Sequence, residues 1–324
     1  MSNRPNILDK REIDKVAMRD AYCDALIALA ESDSRILAIE ADVAQSMGTA
    51  RFAKQFPDRS INCGIQEANA VSMASGLAIK GFVPFFHSFG IFATRRVFDQ
   101  AFLSCGYARA GIKIIGGDAG VTAAANGGTH MPLEDMALMR SIPDATVLEP
   151  ADTVATRALL PQIAKTEGVC YMRSCRKQVA KVYTDDAQFR IGRANILRDG
   201  KDAAVFACGI MVDEALTAAE ALEHEGISVR VVDCFTIKPL DYDCLHESAA
   251  ATGAIVTAEN HSVTGALGSA VAEYLSENIP VPLERIGVKD SYGEVGDMRW
   301  LMKRFNLTSE SISEAVKKAI ARKK

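Results

Sequence analysis

Strand-length apolar runs alternate with longer amphipathic segments along almost the whole chain, and this alternation restricts the fold more than any other feature. The runs "RILAIEAD", "SINCGI", "FVPFFHSF" and "IKIIGGD" lie in the first half. "AAVFACG", "ISVRVVDCF", "GAIVTAE" and "VPLERIGV" lie in the second. Helices are expected between them, over 12–31, 67–78, 92–108, 211–225, onward from Tyr242, and over 264–278. Strands that alternate with helices imply βαβ units and mostly parallel sheets. After residue 180 the polar stretch "KVYTDDAQFRIGRANILRDGKD" interrupts the pattern, which then restarts. With 324 residues there is enough chain for two cores. The expectation is an α/β protein of two parallel-sheet domains, 1–185 and 186–324, joined near 183–195.

Composition removes several function classes. A net charge of −4 gives no reason to expect nucleic acid or a membrane surface as partner. The start, "MSNRPNILDKREIDKVAMRD", is polar and has no apolar segment of the signal-peptide kind. No apolar run approaches the ~18 residues of a membrane span. Eight cysteines are scattered without CxxC spacing. Buried free thiols in a reducing cytosol are expected of them, rather than zinc or disulfides. The cytoplasm is therefore the expected location. GxGxxG after a strand, GxxxxGK[ST], HExxH and GxSxG are all missing.

"INCGIQEANAVSMASGLAIKGF" sets one carboxylate, Glu67, at the head of a run of small and apolar residues. A glutamate in the first turn of a helix complements the helix dipole, for under about 1 kcal/mol. Here the residues that follow are apolar nearly all round, so burial on most faces is expected, and a buried carboxylate needs a partner. "FFHSFGIFATRRVFDQAF" adds clustered aromatics and one histidine. A carboxylate beside an aromatic-lined pocket suits a heteroaromatic ligand with a protonatable ring nitrogen.

The stretch "NCGIQEANAVSMASGLAIKGFVPFFHSFGIF" closely resembles the pyrimidine-binding domain of transketolase and its thiamine-diphosphate relatives, among them deoxyxylulose-phosphate synthase and the beta subunits of oxoacid dehydrogenases. "GDAGVTAAANGGTHMPLEDMALMRSIPDATVLEPAD" is similar to the family's substrate loop, and "VTAENHSVTGALGSAVAE" to its C-terminal domain. The resemblance implies thiamine diphosphate as cofactor. It gives Glu67 the hydrogen bond to ring nitrogen N1′ of the aminopyrimidine, and with it control of the proton there. Phe89 and Phe92 would pack on that ring, and Asp42 would lie near the cofactor. His130 would assist proton transfers on the sugar hydroxyls, a role that suits the ordinary histidine pKa. Arg19, Ser46 and Arg173 align with residues that bind a sugar phosphate, for which a guanidinium is well suited. Three positions depart from the pattern. Arg95 stands where transketolase tends to have a third aromatic, Asp118 where it has a substrate-binding histidine, and Asn126 where it has an aspartate. Asp118 then either ties down an arginine, or points away, or marks a substrate with a different distal group. The joint change at Asn126 favours the last. His87 is assigned neither to cofactor nor to core, and His224, His246 and His261 receive no role.

In the family a second domain holds the diphosphate and Mg²⁺ through Gly-Asp-Gly and a later Asn. This chain offers only "GGDAG" at Gly116–Gly120, and "DATVLEPAD" where the Asn belongs. The resemblance therefore implies half of a split transketolase. Mg²⁺ would be held mainly by a separate N-terminal subunit, and the working unit would be α2β2. Such an enzyme moves a two-carbon ketol unit from a ketose to an aldose. The competing readings are the beta subunit of a 2-oxoacid dehydrogenase and a non-catalytic assembly subunit.

Overall fold

The computed structural model describes residues 7–323, so the first six residues of the polar N-terminal stretch lie outside it. Twelve strands form two sheets. The first half supplies β1 (Ile36–Glu40), β2 (Ser60–Asn62), β3 (Val83–Phe89), β4 (Lys113–Gly117), β5 (Thr146–Leu148) and β6 (Cys170–Arg173). The second supplies β7 (Asn195–Arg198), β8 (Ala203–Ala207), β9 (Val229–Asp233), β10 (Thr236–Lys238), β11 (Ile255–Ser262) and β12 (Leu283–Val288). The sheet orders are β10-β5-β6-β4-β3-β1-β2 and β12-β11-β8-β9-β7. Every pairing is parallel except β10 with β5 and β7 with β9. The expected pair of parallel-sheet α/β units is what forms. All residues of β1, β4 and β8 are buried, as strands covered by helices on both faces must be.

Register brings the carboxyl ends of four strands level. Glu40 pairs with His87, Ser88 with Gly116, and Gly116 with Arg173. In parallel sheets this edge is where ligands bind, because the loops that follow the strands converge there.

Four local features differ from the expectation. The first helix begins at Met18, not residue 12, because Ile7 and Ile13 are drawn into antiparallel bridges with Tyr183 and Ala180. The polar stretch after residue 180 contains β7. The three residues of β10 cross from the second half to the edge of the first sheet. The expected helix 92–108 is broken at Thr94 (φ −126°, ψ −75°) into a short helix Gly90–Thr94, a tight turn Arg95–Val97 and a wide π-type helix Gln100–Tyr107. The Thr94 hydroxyl donates to the Gly90 carbonyl oxygen at 2.7 Å, a local bond that competes with a regular ladder.

All eight cysteines are free and seven are buried, as expected. Burial pushes the Cys105 and Cys170 thiols up to about 12, which leaves them unreactive. Among the described residues no helix is long and apolar enough to cross a membrane.

Candidate functional site

The site forms where β1, β3 and β4 end. Glu67 is the first residue of the helix Glu67–Ile79 and is 3% exposed. That helix buries one face, with Ala70, Val71, Ala74 and Ser75, and exposes Ile79, so the expected burial on most faces is not met. The carboxylate does have a partner. Arg96 Nη1 donates to Glu67 Oε1 at 2.8 Å, and the same guanidinium lies 4.0 Å from the Phe92 ring centroid. The break at Thr94 is what carries Arg96 back over the start of the helix.

Phe89, Phe92 and His130 pack edge to face around one another. The centroids are 6.2 Å apart for Phe89 and Phe92, 5.4 Å for Phe89 and His130, and 5.2 Å for Phe92 and His130. Glycines allow this approach. A Cβ on Gly90 would lie 2.8 Å from Pro132, two residues past His130, so only glycine lets the aromatic segment sit against the histidine loop. His130 shares a hydrogen bond with the Thr129 hydroxyl at 2.9 Å.

The second half braces that loop. Asn260 Nδ2 donates to the Ala119 carbonyl oxygen, and Asn260 Oδ1 accepts from the Val121 amide, both at 2.9 Å. Gly120 between them has φ +47°, and any side chain there would overlap Asn260. A Cβ on Gly128 would likewise meet the Gly293 backbone.

Of the three roles open to Asp118, the first is the one observed. It is wholly buried, at φ +60°, and accepts from Arg176 Nε and Nη2, each at 2.6 Å. Asn126 Nδ2 donates to the same carboxylate at 3.2 Å. Arg176 also lies 4.9 Å from the Phe89 centroid, beside the aromatic group. Arg19 Nη1 donates to the Ser46 carbonyl oxygen at 3.1 Å, so Ser46 meets it through its backbone rather than its hydroxyl. Arg19 Nε is a buried donor without a hydrogen-bond partner among the described residues. Asp42, exposed at φ +61°, accepts from Asn62 Nδ2 at 3.1 Å, and its own amide donates to Asn62 Oδ1 at 3.0 Å.

Arg173 corrects the sequence reading. The expectation made it a substrate contact, but its side chain is entirely buried. Nε donates to Asp135 at 2.8 Å, Nη1 to Glu149 at 3.0 Å and to the Asn260 carbonyl oxygen at 2.7 Å, and Nη2 to the Pro132 carbonyl oxygen at 2.6 Å. Four of its five N–H donors are thus used inside the protein. Burial opposes its charge, but Asp135 and Glu149 outweigh burial and the guanidinium pKa is raised. Burial holds neighbouring His261 at about 4, against the pull of Asp135, and hence neutral. Arg173 therefore locks the histidine loop, β6 and the second half together, rather than facing a ligand.

His87, left open by the sequence, is also buried. Its Nε2 shares a 2.7 Å hydrogen bond with the Tyr22 hydroxyl, and its Nδ1 lies 3.0 Å from Glu40. Arg95 pairs with Glu134 at 2.9 Å, so an ion pair stands where transketolase tends to have a third aromatic. Sequence reasoning missed Arg96, Arg176 and Asn260. "TRRVF" and "RSCRK" did hold candidates, since each offers two arginines, but nothing in those strings says which one turns to the site.

A buried carboxylate at a helix start, two aromatic faces and an adjacent histidine fit one edge of a protonatable heteroaromatic ring. Among the described residues no cluster of three or more His, Cys, Asp or Glu side chains is arranged to hold a metal ion.

Family models for the transketolase pyrimidine-binding domain and the transketolase C-terminal domain match residues 14–181 and 192–312. The chain is 47% identical over 306 residues to a 6-deoxy-6-sulfo-D-fructose transketolase subunit of Clostridium sp. (strain MSTE9), covering 94% of this chain and 95% of that one. It is 36% identical over 322 residues to human transketolase, covering 98% of this chain but 51% of the human protein. The chain thus spans about half the length of that full-length relative. A solved structure described as a split-gene transketolase, inactive beta4 tetramer, superposes with a TM-score of 0.89 at 42% identity, covering 96% of this chain and all of that one.

Proposed function

The chain belongs to the transketolase family, and we propose that it serves as the C-terminal subunit of a split transketolase, moving a two-carbon ketol unit from an anionic ketose to an aldose. One observation carries this reading. Glu67, buried at a helix start, is joined through Arg96 to the Phe89–Phe92–His130 cluster, in a chain that matches a two-chain transketolase subunit almost end to end. Relatives that are themselves named as subunits support a separate N-terminal partner, which would hold Mg²⁺ and the diphosphate in an α2β2 assembly. Buried, unpaired thiols suit a reducing cytoplasm.

Thiamine diphosphate, when bound, supplies the electron sink for cleaving and forming the carbon–carbon bond. The rest falls to side chains. Glu67 holds a proton at ring nitrogen N1′, and Phe89 and Phe92 fix the ring's plane. Asp42, two residues past the end of β1, would lie near the cofactor. His130, on a braced loop beside both aromatics, takes and returns protons at the sugar hydroxyls, aided by Asn126. Arg19, with the Ser46 turn, and Arg176 orient the substrate's anionic end. Arg96 lies against the carboxylate and one of the rings assigned to the pyrimidine. The arginines at the rim favour sugar donors over the short 2-oxoacids of a dehydrogenase beta subunit.

Calorimetric titration with thiamine diphosphate and Mg²⁺ tests the half-site. The chain alone should bind weakly, and addition of the N-terminal subunit should give tight, saturable binding. Equally tight binding by the chain alone would contradict the divided site.

A further inference from the structure

Arg19 and Arg176 occupy one rim. A Cβ on Gly117 would lie 2.6 Å from Met47 Sδ and 3.6 Å from Arg176 Cγ, while one on Gly48 would lie 3.3 Å from Arg19 Cγ. The stems of both arginines therefore come close to the Met47–Gly48 turn. Each keeps donors free. Arg19 Nε is buried without a hydrogen-bond partner, and Arg176 Nη1 makes no hydrogen bond among the described residues. Asp118, fully buried, neutralises Arg176 through two short bonds and is itself steadied by Asn126. Asp20, 3.9 Å from Arg19 and half exposed, is screened by water. With the water-screened Asp20 set aside, Arg19, Arg176 and Asp118 sum to +1, and without Asp118 the sum would be +2.

We propose that Asp118, acting through Arg176, makes this site selective for a donor ketose whose distal group is a monoanion of the sulfonate type, rather than a dianionic phosphate. This rests on the ketol-transfer reading above and adds a substrate class to it. Both groups present three oxygens on a tetrahedral centre; the phosphate adds one ester oxygen to the link and a second negative charge, and it is the charge that the rim reads. The cost of stripping water from an ion rises with the square of its charge, while attraction to the rim rises only in proportion to it. A +1 rim matches a monoanion. At such a rim the second charge of a dianion gains no more than the first, while the desolvation it adds is much larger. The similarity to a subunit named for a sulfo-sugar agrees with this selection.

The test uses both chains together and three donors: the 6-sulfonate and the 6-phosphate of the same ketohexose, and neutral erythrulose. Wild type should show a kcat/KM for the sulfonate at least about 10-fold above that for the phosphate. Asp118→Asn and Asp118→His should shift this ratio toward the phosphate by about 10- to 100-fold, as expected for one charge some 6 Å away at an effective dielectric near 20. Erythrulose, which has no distal anion, reports any effect of the variants that does not depend on charge. A wild-type preference for phosphate would overturn the proposal, as would a ratio unchanged in both variants. A uniform loss on all three donors would make Asp118 structural and overturn it equally. Failure of wild type to use any donor, erythrulose included, would instead overturn the ketol-transfer reading beneath it.

Discussion

Glu67→Gln leaves the chain folded and lowers kcat of the two-subunit enzyme by about 10²- to 10⁴-fold, the usual effect of losing a positioned proton-transfer group. Glutamine keeps the length and shape of the side chain, and its carbonyl oxygen still accepts from Arg96. What it lacks is the exchangeable charge that manages a proton at the pyrimidine nitrogen. The helix-dipole reading makes the opposite forecast. A first-turn carboxylate that only complements a dipole is worth under about 1 kcal/mol, and its removal leaves turnover untouched. Steady-state kinetics with saturating cofactor, set beside a thermal melt of the isolated chain, separates the two. Near-normal turnover would return Glu67 to the dipole role.

Arg173→Met destabilises the chain by about 3–5 kcal/mol, because it leaves the buried carboxylates of Asp135 and Glu149 without their countercharge. Burial already raises the Glu149 pKa even with Arg173 in place. Without the arginine, Glu149 is pushed further toward protonation. A group whose pKa is raised on folding contributes stability below its unfolded pKa and loses it as pH rises through the folded value. The deficit should therefore be larger at pH 8 than at pH 5, in melts of wild type and variant at the two values. A substrate contact would behave otherwise, with KM raised for an anionic sugar and no change in melting. An unaltered melt would restore Arg173 to the substrate site.

The sheets were legible because β1, β3, β4, β8 and β11 each contain a short, mostly apolar run, and such runs between amphipathic segments leave few topologies open. Glu67, Phe89, Phe92 and His130 were legible as types in a pattern, and the fold brings all four to one edge. The misses share a cause. β10 is three residues long and is held by its antiparallel neighbour rather than by any pattern of its own. The break at Thr94 depends on a side chain bonding back to the preceding turn. Arg173 and Arg176 stand three residues apart in "RSCR", but one closes β6 inside the protein and the other lies just beyond the strand, over Phe89. Which of two such arginines meets a ligand is decided where a strand turns into a loop. The same holds for Asp118, whose left-handed backbone turns its carboxylate onto Arg176. Neither turn is written in residue type.

The central claim is that this chain supplies one half of a catalytic site completed by another chain. The most direct measurement is ketol transfer from a ketose to an aldose, with thiamine diphosphate and Mg²⁺, by this chain alone, by the N-terminal subunit alone, and by the two mixed. Activity should be confined to the mixture and should saturate as the second chain is titrated to equal amounts. Ketol transfer by this chain alone would contradict it.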